Sequence, residues 1–118
     1  MGRIDLARVY DERGQDPAGR FLVDRLWPLG LAKATAPFEY WAKDVAPSTE
    51  LRTWYGHDPA RHEEFAQRYR AELALPAGRD ALDDLRTRIA GRDVVLLTAT
   101  KDLALSHLPV LAEVLAGG

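Results

Sequence analysis

Two apolar rhythms alternate along this chain. At residues 3–9, Ile4, Leu6 and Val9 recur in loose alternation with polar positions, which predicts a strand. Residues 11–19, with Asp16-Pro17 and Gly19, read as a turn. Phe21-Leu22-Val23 then opens a compact apolar run that passes through Asp24-Arg25-Leu26-Trp27 and stops at Pro28 and Gly30, the pattern of a strand buried on both faces. Asp93-Val94-Val95-Leu96-Leu97-Thr98 is the clearest strand, β-branched and unbroken, and it runs into Thr100-Lys101-Asp102.

Between these runs the period lengthens to that of helices. Residues 31–57 are the least regular stretch, and a short helix is expected near 39–43. A second begins at Ser48 or Thr49 as N-cap, carries Glu50 in its first turn and stops at Gly56. Asp58 followed by Pro59 is the best helix start in the chain, and Phe65, Tyr69 and Leu73 give that helix one apolar face as far as Pro76. A further helix is expected over 81–90, with Asp80, Asp83 and Asp84 at its start and Arg86 and Arg88 at its end, the order that the helix dipole favours. Pro109 is tolerated only in a first turn, so the last helix starts near Ser106, with His107 in its first turn and Leu108, Leu111, Ala112 and Leu115 inside. Strands alternating with helices predict a single α/β domain, a small mainly parallel sheet flanked by helices in a three-layer-like arrangement. The 11–19 connection leaves open whether the first two strands form a hairpin or a crossover.

Composition narrows the chemistry. The chain has 118 residues, enough for one self-sufficient core, and no cysteine, which removes disulfides, thiolate metal sites and thiol nucleophiles. The formal charge of −2 at pH 7 disfavours a nucleic-acid binder that works by neutralising phosphates. No apolar run approaches the roughly 20 residues of a membrane span, and Arg3 and Asp5 interrupt any signal-peptide core, so a cytoplasmic location is expected.

Three constellations rise above background. Asp24-Arg25 and Lys101-Asp102 follow two buried strands, and in open α/β sheets ligands bind outside the carboxyl ends of strands; the plainer reading is solvated strand ends or a structural Asp–Arg pair. His107 at a helix start meets a field that disfavours imidazolium, so a neutral ring suited to acid–base work is expected there, unless it only closes the helix. Trp27, Phe38, Tyr40, Trp41, Trp54 and Tyr55 cluster in the irregular stretch, where rings stack on a planar ligand or simply supply core. His57 and His62 lack the one-turn spacing of a helical metal pair, so no metal or cofactor is expected. No glycine-rich phosphate loop or serine nucleophile elbow is present either.

The segments FLVDRLWPLGL at 21–31, WAKDVAPS at 41–48 running on to Leu51-Arg52, and WYGHDP at 54–59 resemble the YeaO-like branch of the family called domain of unknown function 488. The likeness continues through Phe65, Arg68, Tyr69, Glu72 and Leu73 to the 96–102 strand end and His107. It implies a compact, three-layer-like α/β domain and little about activity. The chain departs from that pattern at Leu29, where an arginine is usual, and at Leu105 and Ser106 before His107, where a second histidine is usual.

Together these observations predict a pocket at the carboxyl rim for a small anionic or nucleotide-like ligand, with hydrolysis or transfer as the reactions it would serve. Arg25 and Arg52 are the expected anion clamps, Asp24, Asp102 and His107 the expected catalytic groups, and Trp27, Trp54 and Lys101 the remaining walls. The alternative is a module without catalysis that binds protein or nucleic acid through the exposed part of residues 27–57. A third is that Asp24, Arg25 and Arg52 form a buried ion network with no pocket.

Overall fold

A computed structural model describes residues 2–12 and 16–117. Four strands, β1 (Ile4–Arg8), β2 (Gly19–Leu22), β3 (Tyr40–Trp41) and β4 (Val94–Thr98), pair in the order β1-β4-β2-β3. Every pairing is parallel. The link from β1 to β2 is therefore a crossover, because β4 lies between them. Arg20 fastens its far end: the buried guanidinium reaches Glu12 at 2.9 Å and Asp16 at 2.8 Å, and donates to the carbonyls of Asp16 and Ala18. The turn expected over 11–19 lies in part outside the described residues.

Register explains why the middle strands read as continuous apolar runs. Leu6, Leu96, Phe21 and Tyr40 line up across the sheet on one face, and Ala7, Leu97, Leu22 and Trp41 line up on the other. Both rows are covered, so both parities must be apolar. The first face carries the main core, to which α1 (Thr49–Tyr55), α2 (His62–Ala74), α3 (Pro76–Ile89) and α4 (Leu108–Leu115) contribute Leu51, Tyr69, Leu85 and Leu111 among others. The second face is covered by Val9, Leu31 and Phe38. Its layer is loop and 3-10 turn, including Lys33–Thr35, in place of α-helix. Pro28, Gly30 at φ +78° and Pro37 keep this stretch out of helical geometry while its apolar side chains still seal the sheet.

Several boundaries differ from the sequence expectation. The helix expected at 39–43 is strand β3 followed by a 3-10 turn at Lys43–Val45. The open edge of β2 decides this, since the Glu39 N–H donates to Arg20 O at 2.9 Å and the Ala42 N–H to Leu22 O at 2.7 Å. Pro76 does not merely end a helix; it occupies the first position of α3, which starts well before residue 81. Asp58 caps the 3-10 turn Pro59–Arg61 that leads into α2, rather than α2 itself. Two caps stand as read: Ser48 accepts from the Leu51 N–H, and Gly56 closes α1 at φ +54°. The last helix starts at Leu108 with His107 at its N-cap position, so His107 precedes the first turn in which it was expected.

Candidate functional site

In a parallel sheet all carboxyl ends share one rim. After β2 the chain leaves toward the loop-covered face, where Trp27 packs on Phe38 and Trp41; after β4 it turns to α4 on the helical face. Neighbouring strands whose continuations diverge leave a crevice between them, the usual ligand position in open α/β sheets. A cavity of about 400 Å³ opens there, walled by Asp24 and Arg25 after β2, Thr100 after β4, Arg52 and His57 around the end of α1, and His107 before α4.

Asp24 anchors the floor. Its Oδ1 accepts from Thr98 Oγ1 at 2.7 Å and its Oδ2 from the Ala99 N–H at 2.8 Å. Burial pushes its carboxyl up to about 6, against the opposing pull of those two hydrogen bonds and of the Arg52 charge. His107 stands beside it, Nε2 lying 3.6 Å from Asp24 Oδ1. Nε2 also contacts the Val23 carbonyl oxygen, which has no proton to give, so Nε2 is the donor and the tautomer is fixed. Burial lowers the imidazole to about 4. The ring is thus neutral, through burial more than through the helix-start field. With its Nε2 proton held by Val23, it cannot accept a proton from Asp24 at that nitrogen.

The two arginines differ. Arg25 Nε donates to Ala46 O at 3.1 Å and Pro47 O at 3.2 Å, and its Nη1 lies 3.8 Å from Asp44. Arg52 is half-buried and its guanidinium makes no hydrogen bond or ion pair within 4 Å among the described residues, although its charge is felt by both Asp24 and His107.

Asp24, Arg25, Arg52 and His107 therefore share one cavity, and the other expected wall residues lie outside its lining. Lys101 and Asp102 are exposed, and Asp102 Oδ1 accepts from the Ala104 N–H to cap the 3-10 turn Leu103–Leu105. Trp27 sits on the loop-covered face with its Nε1 donating to Leu31 O. Trp54 lies between the guanidinium groups of Arg61 and Arg68, at 5.2 and 4.3 Å from its ring. Tyr55, His57 and Thr100 line the cavity without having been singled out as site residues. His57 follows Gly56 in a second consecutive left-handed conformation, φ +56°, and this reverses the chain toward the cavity. Among the described residues no group of three or more His, Asp or Glu side chains could hold a metal ion. No helix among the described residues is long and apolar enough to cross a membrane.

Residues 3–117 match the family described as the inactive DUF488-N3 subclade. An uncharacterized protein of Mycobacterium tuberculosis is 49% identical over 116 residues, covering 98% of this chain and 95% of that protein. The uncharacterized protein YeaO of Escherichia coli is 35% identical over 112 residues, covering 93% and 94%. No solved structure matches. The chain belongs to the domain of unknown function 488 family, with a YeaO-like sequence from end to end.

Proposed function

We propose that this protein binds a small anion in the rim cavity between β2 and β4 and does not transform it. The observation that carries this is Arg52, a half-buried guanidinium in the cavity wall with no hydrogen-bond partner of its own among the described residues. Its nitrogens stay open to solvent in the cavity wall, so the guanidinium is available to grip the two oxygens of a carboxylate or phosphate. Arg25 also lines the cavity, but its Nε is held by the Ala46 and Pro47 carbonyls and its Nη1 lies 3.8 Å from Asp44, so Arg52 is the cation left for a ligand. The absence of turnover is supported by His107, whose Nε2 proton is committed to the Val23 carbonyl, and by the description of the subclade as inactive.

The test is thermal unfolding of the protein and its Arg52→Met variant with sulfate, phosphate and a panel of small carboxylates and nucleotides. At a ligand concentration a hundredfold above Kd the stabilisation is about 2.7 kcal/mol, a rise of roughly 10 °C for a domain this size. At least one anion is expected to raise the Tm of the parent and not of the variant. Equal shifts in both proteins, or none in either, would sink the reading.

A further inference from the structure

A second cavity, of about 870 Å³, runs along the outer edge of β3 between that strand and the facing parts of α2 and α3. Strand β3 ends the sheet order and pairs only with β2, so its other side is a free edge. Such an edge is a template for another extended chain. Four carboxylates line this groove, Asp44, Glu72, Asp80 and Asp84, against the cations Arg25 and Lys43. Asp84 is neutralised from outside by Arg88 at 2.9 Å, and Asp44 lies 3.8 Å from Arg25. Glu72 is held by the Ser48 N–H and hydroxyl and has no cation within 4 Å among the described residues. Asp80 is exposed, and its carboxylate has no hydrogen bond or ion pair among the described residues. Set against Arg25, Lys43 and, from outside, Arg88, the four carboxylates leave the groove a net charge of −1. At the rim the unpaired group is the cation Arg52, so the two places suit different partners.

We infer that the groove receives an extended segment of a partner protein bearing lysine or arginine, added to the sheet beside β3. Its backbone would pair with the free strand edge, and its cations would meet Asp80 and Glu72. The wall opposite β3 includes Ala77 and Ala81, small residues that leave room for a passing chain.

Selection of displayed random seven-residue peptides on the intact protein tests this, followed by anisotropy titration of the recovered sequences. Recovered peptides are expected to be rich in Lys and Arg. They should weaken tenfold or more toward the Asp80→Lys variant, whose folding is checked by its melting curve, and likewise when alternate peptide amides are N-methylated. Recovery of nothing above background, of acidic or purely apolar sequences, or of peptides indifferent to both changes would overturn the proposal. So would a dimer in sedimentation that Asp80→Lys dissociates, because the groove would then be filled by a second copy of the chain.

Discussion

The Thr98 hydroxyl donates to the Asp24 carboxylate at 2.7 Å, tying the end of β4 to the chain just past β2. The next residue, Ala99, gives its N–H to the other oxygen of the same group. One carboxylate thus satisfies two donors that burial would otherwise leave costly. Asn at this position keeps one acceptor and the shape, whereas Ala keeps neither. Asp24→Asn is expected to be more stable than Asp24→Ala by about 1 kcal/mol or more in urea denaturation at pH 7. Equal stabilities would show that these hydrogen bonds are not holding the rim together.

Asp24 and His107 act on stability in opposite directions. The Asp24 carboxyl rises to about 6 in the fold, so between pH 4 and 6 the native state holds more protons than the unfolded chain and stability falls as pH increases. His107 drops to about 4, so over pH 4 to 6.5 the unfolded chain holds more protons and stability increases with pH. Each displacement is worth at most about 3 kcal/mol. Considering these two groups alone, their contributions nearly cancel between pH 4 and 6. Asp24→Asn should then unmask a stability that climbs from pH 4 to 6.5, and His107→Gln one that declines from pH 4 to 6. Chemical denaturation across this range measures both slopes, and parallel profiles in the two variants would refute the assignment.

Anion binding at Arg52 should be linked to the same carboxyl group. A bound anion repels ionised Asp24, so protonation of Asp24 and occupancy of the cavity favour each other. Sulfate stays doubly charged from pH 5.5 to 7.5 and so isolates the protein's contribution. By calorimetry it is expected to bind severalfold more tightly at pH 5.5 in the parent, with that dependence lost in Asp24→Asn. A parent affinity independent of pH would place the anion away from Asp24.

The corner between α2 and α3 tolerates no side chain at Gly78. A Cβ there would lie 2.2 Å from Glu72 O and 2.8 Å from Leu73 Cα, both backbone atoms. Alanine normally stabilises a helix relative to glycine by about 1 kcal/mol. Here the overlap should reverse the sign, and Gly78→Ala is expected to cost about 1–3 kcal/mol in urea denaturation. A neutral or stabilising result would mean that the corner opens freely.

Ser48 works twice, accepting from the Leu51 N–H at 3.1 Å and donating its hydroxyl to Glu72 of α2. Ser48→Ala removes an N-cap and a contact between helices together. A loss of about 1–2 kcal/mol in urea denaturation is expected. Asn, which caps but cannot reproduce the hydroxyl donation, should recover only part of it.

Local rules found the elements whose signals are local. The unbroken Val94–Thr98 strand, the Ser48 and Gly56 ends of α1, and Ser106 accepting from the Leu108 N–H ahead of α4 were all legible, because burial on two faces and cap chemistry leave marks at the residues concerned. Tyr40 and Trp41 were not, since their pairing with β2 is a long-range event that overrode the local pattern. The rim location of Asp24 and Arg25 followed from their place at a strand end, and that of His107 from its place at a helix start. Which way neighbouring side chains face did not: Trp27 and Trp54 share a segment rich in rings, yet one covers the loop-side face of the sheet and the other the outside of a helix. Nothing in the spacing marks His57, whose position depends on two consecutive left-handed residues.

The insertion of β4 between β1 and β2 sets the order of assembly. A chain emerging from the ribosome completes β1 and β2 early, but they have no hydrogen bonds to each other and wait for a partner that arrives some seventy residues after β2. Until then Phe21 and Leu22 lack the neighbour that buries them, and only the short β3 is available to β2. Folding of the sheet is therefore deferred until β4 is available, with the slow closure expected of long-range parallel pairing. A nascent fragment ending before residue 94 has no central strand around which to organise.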